Sequence, residues 1–215
     1  MIITNCPKGG RAVQIDVNEC LRYLCADETL RPQVEETAHR LTNAITPRWV
    51  WRMLPTEELP LPGETARTML LQCQRVCVLV CTLGARFDAL ARAEQARGMD
   101  RAVLWDACGS AWVEAGCDEA QKEIAARFPS LYLTDRFSPG YGDLPLDLQP
   151  ALCRITDAQR RLGVTVTPTF LLNPAKTVTA LIGLSDRPQR ARIRGCAYCS
   201  LRESCSIRKG GNRCV

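Results

Sequence analysis

The sequence predicts an α+β domain, because segments with helical periodicity are mixed with short apolar segments that have strand periodicity. Residues 48–54 alternate and place Trp49, Trp51 and Met53 on one side, which is typical of a strand with one buried face. Residues 76–81 form a continuous apolar, β-branched run that suits a buried strand. Helical stripes flank both segments, so we expect a sheet packed against helices.

The first predicted helix begins at Asp16, where Asp16 and Glu19 give a D-x-x-E start that resembles a capping box. Further strands are predicted at residues 131–133 and in a hairpin that pairs residues 164–172 with 176–182 about Asn173-Pro174-Ala175. The further helices are predicted at residues 32–45, 64–72, 85–97, 99–128 and 149–162. The segment over 99–128 fits one long helix or two nearly continuous ones.

The middle of the 99–128 segment is unusually rich in small residues, including Gly109, Ser110 and Gly116. Small side chains permit close backbone packing, so a tight contact with a strand is one interpretation. Glu114 lies one helical turn beyond Ser110 on this surface. An acidic side chain has little reason to be there unless a polar or cationic group meets it, which makes Glu114 a candidate ligand-binding residue.

A second candidate site is the nine-residue segment at 135–143, which joins a cation, a turn, an aromatic ring and two carboxylates. The sequence Ser138-Pro139-Gly140 predicts a turn in which backbone can approach a ligand closely. Arg136 offers a planar guanidinium that matches a carboxylate, and Tyr141 adds a flat amphipathic surface. This set suits a small zwitterionic or nucleoside-like ligand. The same residues also fit an ordinary Pro-Gly turn beside a solvated arginine.

Composition limits the function classes. No run reaches the roughly 20 apolar residues of a membrane span, and residues 1–10 lack the apolar core of a secretory signal, so a cytoplasmic protein is expected. His39 is the only histidine, and its position on the polar side of a predicted helix favours a surface role over catalysis or zinc binding. Cys77 and Cys81 share one face of a predicted buried strand and are interpreted as core residues.

The C-terminal segment, residues 187–215, differs from the body at 1–186. It carries eight Lys or Arg residues and one acid, a balance of +7, whereas the remainder has a balance of −2 within the net charge of +5. Few large apolar residues are present, so core burial does not explain its cysteines, and a metal site is predicted. The spacing favours a 4Fe-4S cluster, with zinc or no metal as alternatives, on Cys196, Cys199, Cys205 and Cys214.

Five motifs in chain order carry a resemblance to a known family. They are ECLRYLC at 19–25, CTLGARFD at 81–88, DACGSAWVEAGCDE at 106–119, RFSPGYGD at 136–143 and TPTFLLNPAKTVTALIG at 167–183. Together they resemble the reactivation (activation) domain of cobalamin-dependent methionine synthase. The resemblance covers most of residues 12–186 and is closest to short stand-alone relatives that consist of this domain, some with a Cys-rich tail.

The resemblance implies a curved, largely antiparallel sheet packed with helices and a stand-alone reactivation subunit. Such a subunit binds S-adenosylmethionine and supports reductive methylation of cob(II)alamin, with the cobalamin held by a partner protein. Arg136 is then expected to pair with the ligand's carboxylate, Gly140 and Tyr141 to line its nucleoside end, and Glu114 to meet a polar or cationic group. Ile182-Gly183 replaces the aromatic pair of the full-length enzyme, so an expected stacking surface is missing.

The implied partners are a corrinoid-binding methyltransferase, or a methionine synthase lacking its own activation domain, and a redox donor such as flavodoxin or ferredoxin. The resemblance leaves open whether the chain is itself an enzyme. Two other classes remain. The chain could be an iron–sulfur electron-transfer protein that docks on a corrinoid partner. It could also be a nucleic-acid-binding module that uses the basic tail, although Tyr198 is the only aromatic residue interleaved there.

Overall fold

The computed structural model describes residues 4–5, 13–59, 61–188 and 203–204, and these residues confirm the α+β class. The helices are α1 (Val17–Leu24), α2 (Arg31–Ala44), α3 (Glu64–Leu70), α4 (Ala85–Arg97), α5 (Met99–Arg127), α6 (Gln149–Thr156) and α7 (Ala158–Leu162). The strands are β1 (Thr4–Asn5), β2 (Arg48–Pro55), β3 (Arg75–Thr82), β4 (Tyr132–Leu133), β5 (Thr165–Val166), β6 (Leu172–Asn173) and β7 (Thr177–Ser185).

The central sheet has the strand order β1-β2-β3-β7-β4, and each neighbouring pair is antiparallel. The longest pairings join β2 to β3 and β3 to β7, where Cys77 lies opposite Met53 on one side and Ile182 on the other. Phe137 extends the β4 edge, because it exchanges two backbone hydrogen bonds with Leu181. The predicted antiparallel sheet is therefore confirmed, and its edge carries the chain directly into the loop after Arg136.

Helices cover both faces of this sheet. On the first face, α1, α2, α4 and α5 pack over residues that include Trp51, Cys77 and Ile182. Glu123 of α5 accepts a hydrogen bond from the indole Nε1 of Trp49 and of Trp51, each at 3.0 Å, which fixes α5 across β2. On the second face, α3, α6 and α7 pack over the alternate residues of the same strands. The period-two alternation of the strands thus separates two cores.

The small residues of α5 allow close approach to its neighbours. A Cβ atom at Gly109 would lie 2.3 Å from a ring carbon of Phe87, and one at Gly116 would lie 2.9 Å from the sulfur of Cys81. The expected tight helix–strand contact is therefore present at Gly116, and Gly109 makes a similar contact with α4. Of the two expectations for residues 99–128, one continuous helix is the correct one.

The predicted hairpin at 164–182 is wrong. The strand β5 pairs with β6 instead, across a turn at residues 167–171, and forms a separate two-stranded sheet. Residues 177–185 join the central sheet between β3 and β4. Both ends of the predicted hairpin have strand character. However, β7 pairs with β3 on one side and β4 on the other, and its residues 179–185 are buried, which the local pairing could not provide.

The predicted helix at 149–162 is divided at Asp157, which separates α6 from α7. Asp157 adopts a left-handed backbone conformation with φ 55°, so the α6 hydrogen-bond ladder ends there. Aspartate tolerates this conformation better than most residues other than glycine. None of the helices in the described ranges is both long enough and apolar enough to cross a membrane.

Candidate functional site

Four polar side chains follow one another at intervals of four residues on α5. They are Asp106, Ser110, Glu114 and Asp118, and this spacing places them on one side of the helix. We call this set the α5 polar stripe. Two cations from other parts of the chain, Lys176 and Arg136, contact the stripe toward its opposite ends.

Arg136 contacts the C-terminal half of the α5 polar stripe. Its Nη1 donates to Asp118 Oδ1 at 2.6 Å and to Gln121 Oε1 at 3.0 Å, and its Nη2 donates to Glu114 Oε2 at 3.1 Å. The side chain is 21% exposed. Arg136 follows β4, and its neighbour Phe137 is buried in the core on the other face of the sheet. The sheet edge therefore directs Arg136 toward α5.

Lys176 contacts the N-terminal half of the stripe. Its Nζ donates to Ser110 Oγ at 2.8 Å and lies 2.9 Å from Asp106 Oδ1, and its side chain is 17% exposed. The backbone of Lys176 is also fixed, because its carbonyl accepts from Leu83 N at 3.0 Å. Lys176 directly precedes β7, so the central sheet and α5 together determine where its ammonium group lies.

A surface groove of about 200 Å³ lies between α1, the α5 polar stripe and the start of β7. Glu114 and Ser110 line it from α5, Tyr23 lines it from α1, and Lys176 lines it from the segment before β7. A larger groove of about 430 Å³ runs between α1, α4 and α5 and shares Tyr23 and Ser110 with the first. The smaller groove thus presents an acid, a cation and a phenol together.

The Tyr23 hydroxyl is a neutral hydrogen-bond donor, and its surroundings favour that neutral state further. Burial raises the pKa of Tyr23, and the negative charge of Glu114 raises it further. A tyrosine with a raised pKa remains a neutral phenol near pH 7 and can donate a hydrogen bond. The groove therefore combines a neutral donor, an ammonium donor and a carboxylate acceptor.

Gly140 and Tyr141 do not line this groove. Gly140 has φ +94° and donates to Leu144 O at 2.7 Å, which confirms the predicted turn with positive φ. The ring of Tyr141 faces solvent, and the residue is 69% exposed. Glu114 and Arg136 are thus brought together, whereas Gly140 and Tyr141 form an exposed turn beyond Arg136 and Phe137.

Asp143, the last residue of the same segment, has a structural role. Its Oδ2 accepts hydrogen bonds from Glu64 N at 2.5 Å and Thr65 N at 3.1 Å, at the first turn of α3. The hydrogen bonds from the backbone N–H groups of Thr65 and Glu64 lower the pKa of Asp143. The carboxylate therefore joins the turn to α3 and holds the loop that carries Gly140 and Tyr141.

Ile182 and Gly183 are both buried inside the sheet. Ile182 is fully buried in the first core. A Cβ atom at Gly183 would lie 2.6 Å from both Cys73 Sγ and Leu70 Cδ2, and 2.9 Å from Thr134 Cγ2. No larger side chain fits at Gly183 unless these neighbours move. Close packing around Gly183 therefore leaves no space for an aromatic side chain there, which agrees with the absence of the aromatic pair from the sequence.

His39, Cys77 and Cys81 lie where the sequence analysis expected them. His39 is exposed on α2. Cys77 and Cys81 are fully buried, and burial raises the pKa of Cys77 to about 12, so this thiol stays protonated at neutral pH. Among the described residues, no group of three or more His, Cys, Asp or Glu side chains is arranged to hold a metal ion. The four tail cysteines, Cys196, Cys199, Cys205 and Cys214, lie outside the described residues.

Sequence reasoning missed Lys176, Tyr23, Asp118 and Gln121 as neighbours of Glu114 and Arg136. The four-residue spacing of the α5 polar stripe is visible in the sequence and could have added Asp118. The spacing does not show which cations meet the stripe, because Lys176 is 66 residues from its partner Ser110 and Arg136 is 22 from Glu114.

The class defined by this architecture is an α+β domain with an antiparallel sheet covered by helices on both faces. Among solved structures, the chain matches the crystal structure of the MetH reactivation domain bound to AdoHcy with a TM-score of 0.67. The match covers 97% of this chain and 86% of that chain, at 14% sequence identity. The predicted reactivation-domain fold is therefore confirmed. No protein-family model matches the sequence, and a search of curated proteins finds no match.

Proposed function

We propose that this chain is a stand-alone reactivation subunit that binds S-adenosylmethionine and supports reductive methylation of cob(II)alamin on a corrinoid partner. The observation that carries the proposal is the Glu114–Arg136 pair beside a polar groove, within the fold of a reactivation domain. The structural neighbour is described as bound to AdoHcy, and we extend a ligand of this type to the present chain by proposal.

The residues present fit the amino-acid part of such a ligand. Arg136 uses three of its five N–H donors on α5, so donors remain for an anionic group. Glu114 is 41% exposed and can accept from an ammonium or hydroxyl group. In this proposal Gly140 and Tyr141 line the nucleoside end. The tight packing at Gly183 leaves no room for the usual aromatic pair, so stacking at that position contributes nothing to affinity.

In this proposal the chain binds S-adenosylmethionine and orients it toward the partner. Bound S-adenosylmethionine would supply a methyl group and leave as S-adenosylhomocysteine. The partner's cobalamin would accept that methyl group together with one electron from a donor such as flavodoxin or ferredoxin. The chain's own residues must hold the donor so that its sulfonium methyl faces the partner in line. No general acid or base is required for this task, which agrees with a sequence that has one histidine, exposed on α2.

The first test is calorimetry of S-adenosylmethionine with the isolated full-length chain. Arg136→Ala should weaken binding by about 1.5–3 kcal/mol, because it removes charge-assisted hydrogen bonds and leaves Glu114 without its partner. Arg160→Ala is the matched control, since Arg160 is 74% exposed and pairs only with Asp157 in the described contacts. Absence of binding by the unmodified chain would rule out the proposed function. Unchanged affinity in the Arg136 variant would remove that residue from the site.

The tail is a separate part of the proposal. We propose that residues 187–215 hold a metal centre on Cys196, Cys199, Cys205 and Cys214, with a 4Fe-4S cluster favoured over zinc, and that the centre relays the electron. Basic residues around such a centre would attract an acidic redox donor. The alternative in which the chain is an iron–sulfur electron-transfer protein differs in one respect, because it predicts bound iron and no S-adenosylmethionine binding.

Truncation after Asp186 tests this division of the chain. The truncated body should stay folded and bind S-adenosylmethionine, lose the metal, and reactivate its corrinoid partner more slowly with the physiological donor. Metal analysis after anaerobic purification and a single-turnover reactivation assay measure these outcomes. Equal reactivation rates for the truncated and intact chains would exclude the relay. Loss of S-adenosylmethionine binding by a folded truncated chain would assign the tail to the ligand site.

A further inference from the structure

Three arginines from different helices converge on the carboxylate of Glu94. Arg40 of α2 and Arg97 of α4 both donate to Glu94 Oε1, through Nη2 and Nη1 respectively. Arg101, in the first turn of α5, donates from Nε to Glu94 Oε2 at 3.0 Å. We call these four residues the Glu94 cluster. None of its arginines lines either groove, so the proposed function gives them no role.

The Glu94 cluster has an excess of positive charge. One carboxylate offsets one of the three guanidinium charges, which leaves a formal excess of two. Within the part of the chain that the structure describes, none of the three arginines pairs with a second acid. Arg40 Nη2 and Arg97 Nη1 bond to the same oxygen, so these cationic groups lie within about 5 Å of each other and repel. The cluster therefore favours a further anion.

Most hydrogen-bond donors of the cluster are unused. A guanidinium has five N–H donors, and in the described contacts each arginine uses one of them, on Glu94. Glu94 is 5% exposed, whereas the arginines are between 35% and 59% exposed. The carboxylate is therefore enclosed, and the remaining guanidinium donors are accessible to an anion from solvent.

Trp105 adds an unused buried donor next to Arg40. The residue is 2% exposed, its ring stacks on Phe87, and Arg40 Cζ lies 5.8 Å from the ring centroid. The indole Nε1 has no hydrogen-bond partner among the described residues. A buried indole N–H group usually has an acceptor. The surroundings of Arg40 thus contain two kinds of unused donor and lack an acceptor.

We propose that Arg40, Arg97 and Arg101 bind a phosphate group, either as free inorganic phosphate or as part of a phosphate monoester. A phosphate monoester carries about −1.5 to −2 charges near pH 7, which matches the formal excess of two better than a single carboxylate does. Its oxygens can accept from more than one guanidinium, whose planar geometry suits an oxyanion. Glu94 opposes three positive charges with one negative charge, so the net interaction with the ligand is attractive.

Titration of the full-length chain with inorganic phosphate at constant ionic strength tests the site. The arginine side-chain Nε–H signals, followed by nuclear magnetic resonance, should shift to saturation with a dissociation constant below about 10 mM. Arg97→Gln and Arg101→Gln should each weaken binding by about 10-fold, because each removes a charge-assisted hydrogen bond. Sulfate, which is also a dianion, should compete with phosphate, whereas acetate should not.

Arg86→Gln is the matched control, because Arg86 is an exposed arginine in the first turn of the same helix as Arg97. Its affinity for phosphate should equal that of the unmodified chain. Thermal unfolding gives a second measurement. Phosphate should raise the unfolding midpoint of the unmodified chain and of Arg86→Gln by more than it raises that of Arg97→Gln or Arg101→Gln. A rise that is equal in all four chains would be the general effect of an excluded salt and would contradict the site.

Glycerol phosphate, with glycerol as its control, distinguishes the two sources of the phosphate group. Tighter binding of glycerol phosphate than of inorganic phosphate, without binding of glycerol, assigns a phosphate monoester to the cluster. Tighter binding of inorganic phosphate assigns the free ion, and either outcome supports the site. The proposal is overturned if neither compound saturates the arginine signals below about 10 mM. It is also overturned if Arg97→Gln and Arg101→Gln bind phosphate as tightly as the unmodified chain.

Discussion

Two ion clusters border α5, and they have opposite compositions. In the first, one carboxylate, Glu94 of α4, meets three arginines: Arg40, Arg97 and Arg101. In the second, one arginine, Arg136, meets the carboxylates of Glu114 and Asp118. Glu94 is 5% exposed, whereas Glu114 and Asp118 are 41% and 60% exposed. The central group is buried in the first cluster and half-buried in the second, while the outer charges of both clusters are partly exposed.

This difference separates stability from binding. The partners of Glu94 come from α2, α4 and α5, so that carboxylate joins three helices on one face of the sheet. The Arg136 cluster joins the sheet edge to a single helix and borders a groove. A buried carboxylate needs its partners in place, whereas Glu114 is a partly exposed carboxylate that lines a groove and is accessible to a ligand. We therefore expect the Glu94 cluster to determine stability and the Arg136 cluster to determine S-adenosylmethionine binding.

The largest expected effect follows from removing the buried carboxylate. Glu94→Ala leaves three arginines next to one another without a counterion and should lower the free energy of unfolding by about 2–3 kcal/mol. The value lies below that of a fully buried pair because the arginines are partly exposed, between 35% and 59%. Urea unfolding measures the change, and Glu36→Ala, at an exposed position on α2, is the control. A loss below about 1 kcal/mol would contradict the assignment of Glu94 to stability.

The pH dependence of stability also tests whether the Glu94 cluster stabilises the fold. Burial alone would raise the pKa of Glu94, but hydrogen bonds from Arg40 and Arg101 outweigh burial and lower the pKa to about 2 from an ordinary value of 4.5. A depressed folded-state pKa means that the stabilisation is present above pH 4.5 and is lost as the pH falls toward 2.

The free energy of unfolding should therefore decline between about pH 5 and pH 2, and the decline should be smaller in Glu94→Gln. Urea unfolding at half-unit pH intervals measures both slopes. Parallel slopes for the two chains would show that other carboxylates cause the loss. Glu94 would then not account for the pH dependence of stability.

Much of the fold could be predicted from local patterns, and the errors have a common physical cause. Periodicity located β2 and β3, and the D-x-x-E start located α1, where Asp16 Oδ1 accepts from Asn18 N at 2.8 Å. The hairpin at 164–182 was wrong because β7 pairs with β3, about 100 residues earlier in the chain. A strand's choice of partner depends on burial across the whole sheet, which a local turn signal does not contain.

The candidate site likewise contains residues that the sequence identified and residues that only the structure shows. Residue type and resemblance together selected Glu114 and Arg136, and the structure places Arg136 Nη2 3.1 Å from Glu114 Oε2. Neither Lys176 nor Tyr23 could be selected, because each approaches Ser110 and Glu114 from a separate part of the chain. The Glu94 cluster was also not predicted, since Arg40 is 54 residues from Glu94. Sequence patterns identified which residues lie on α5, and only the packing of the domain showed what meets them.

The smallest expected effect concerns Asp118, which is the more exposed of the two acids in the Arg136 cluster. Asp118→Asn should change the free energy of unfolding by less than about 1 kcal/mol, because exposed ion pairs contribute little and Arg136 keeps Glu114 and Gln121 as partners. The same variant tests the proposed role of Arg136 in binding. Loss of the Asp118 charge removes one anion beside Arg136, so a ligand carboxylate would meet less repulsion there. We expect the affinity for S-adenosylmethionine to rise by less than about threefold, equivalent to roughly 0.65 kcal/mol. Calorimetry that showed a tenfold loss would contradict a ligand carboxylate at Arg136, and a destabilisation comparable to that of Glu94→Ala would remove the distinction between the clusters.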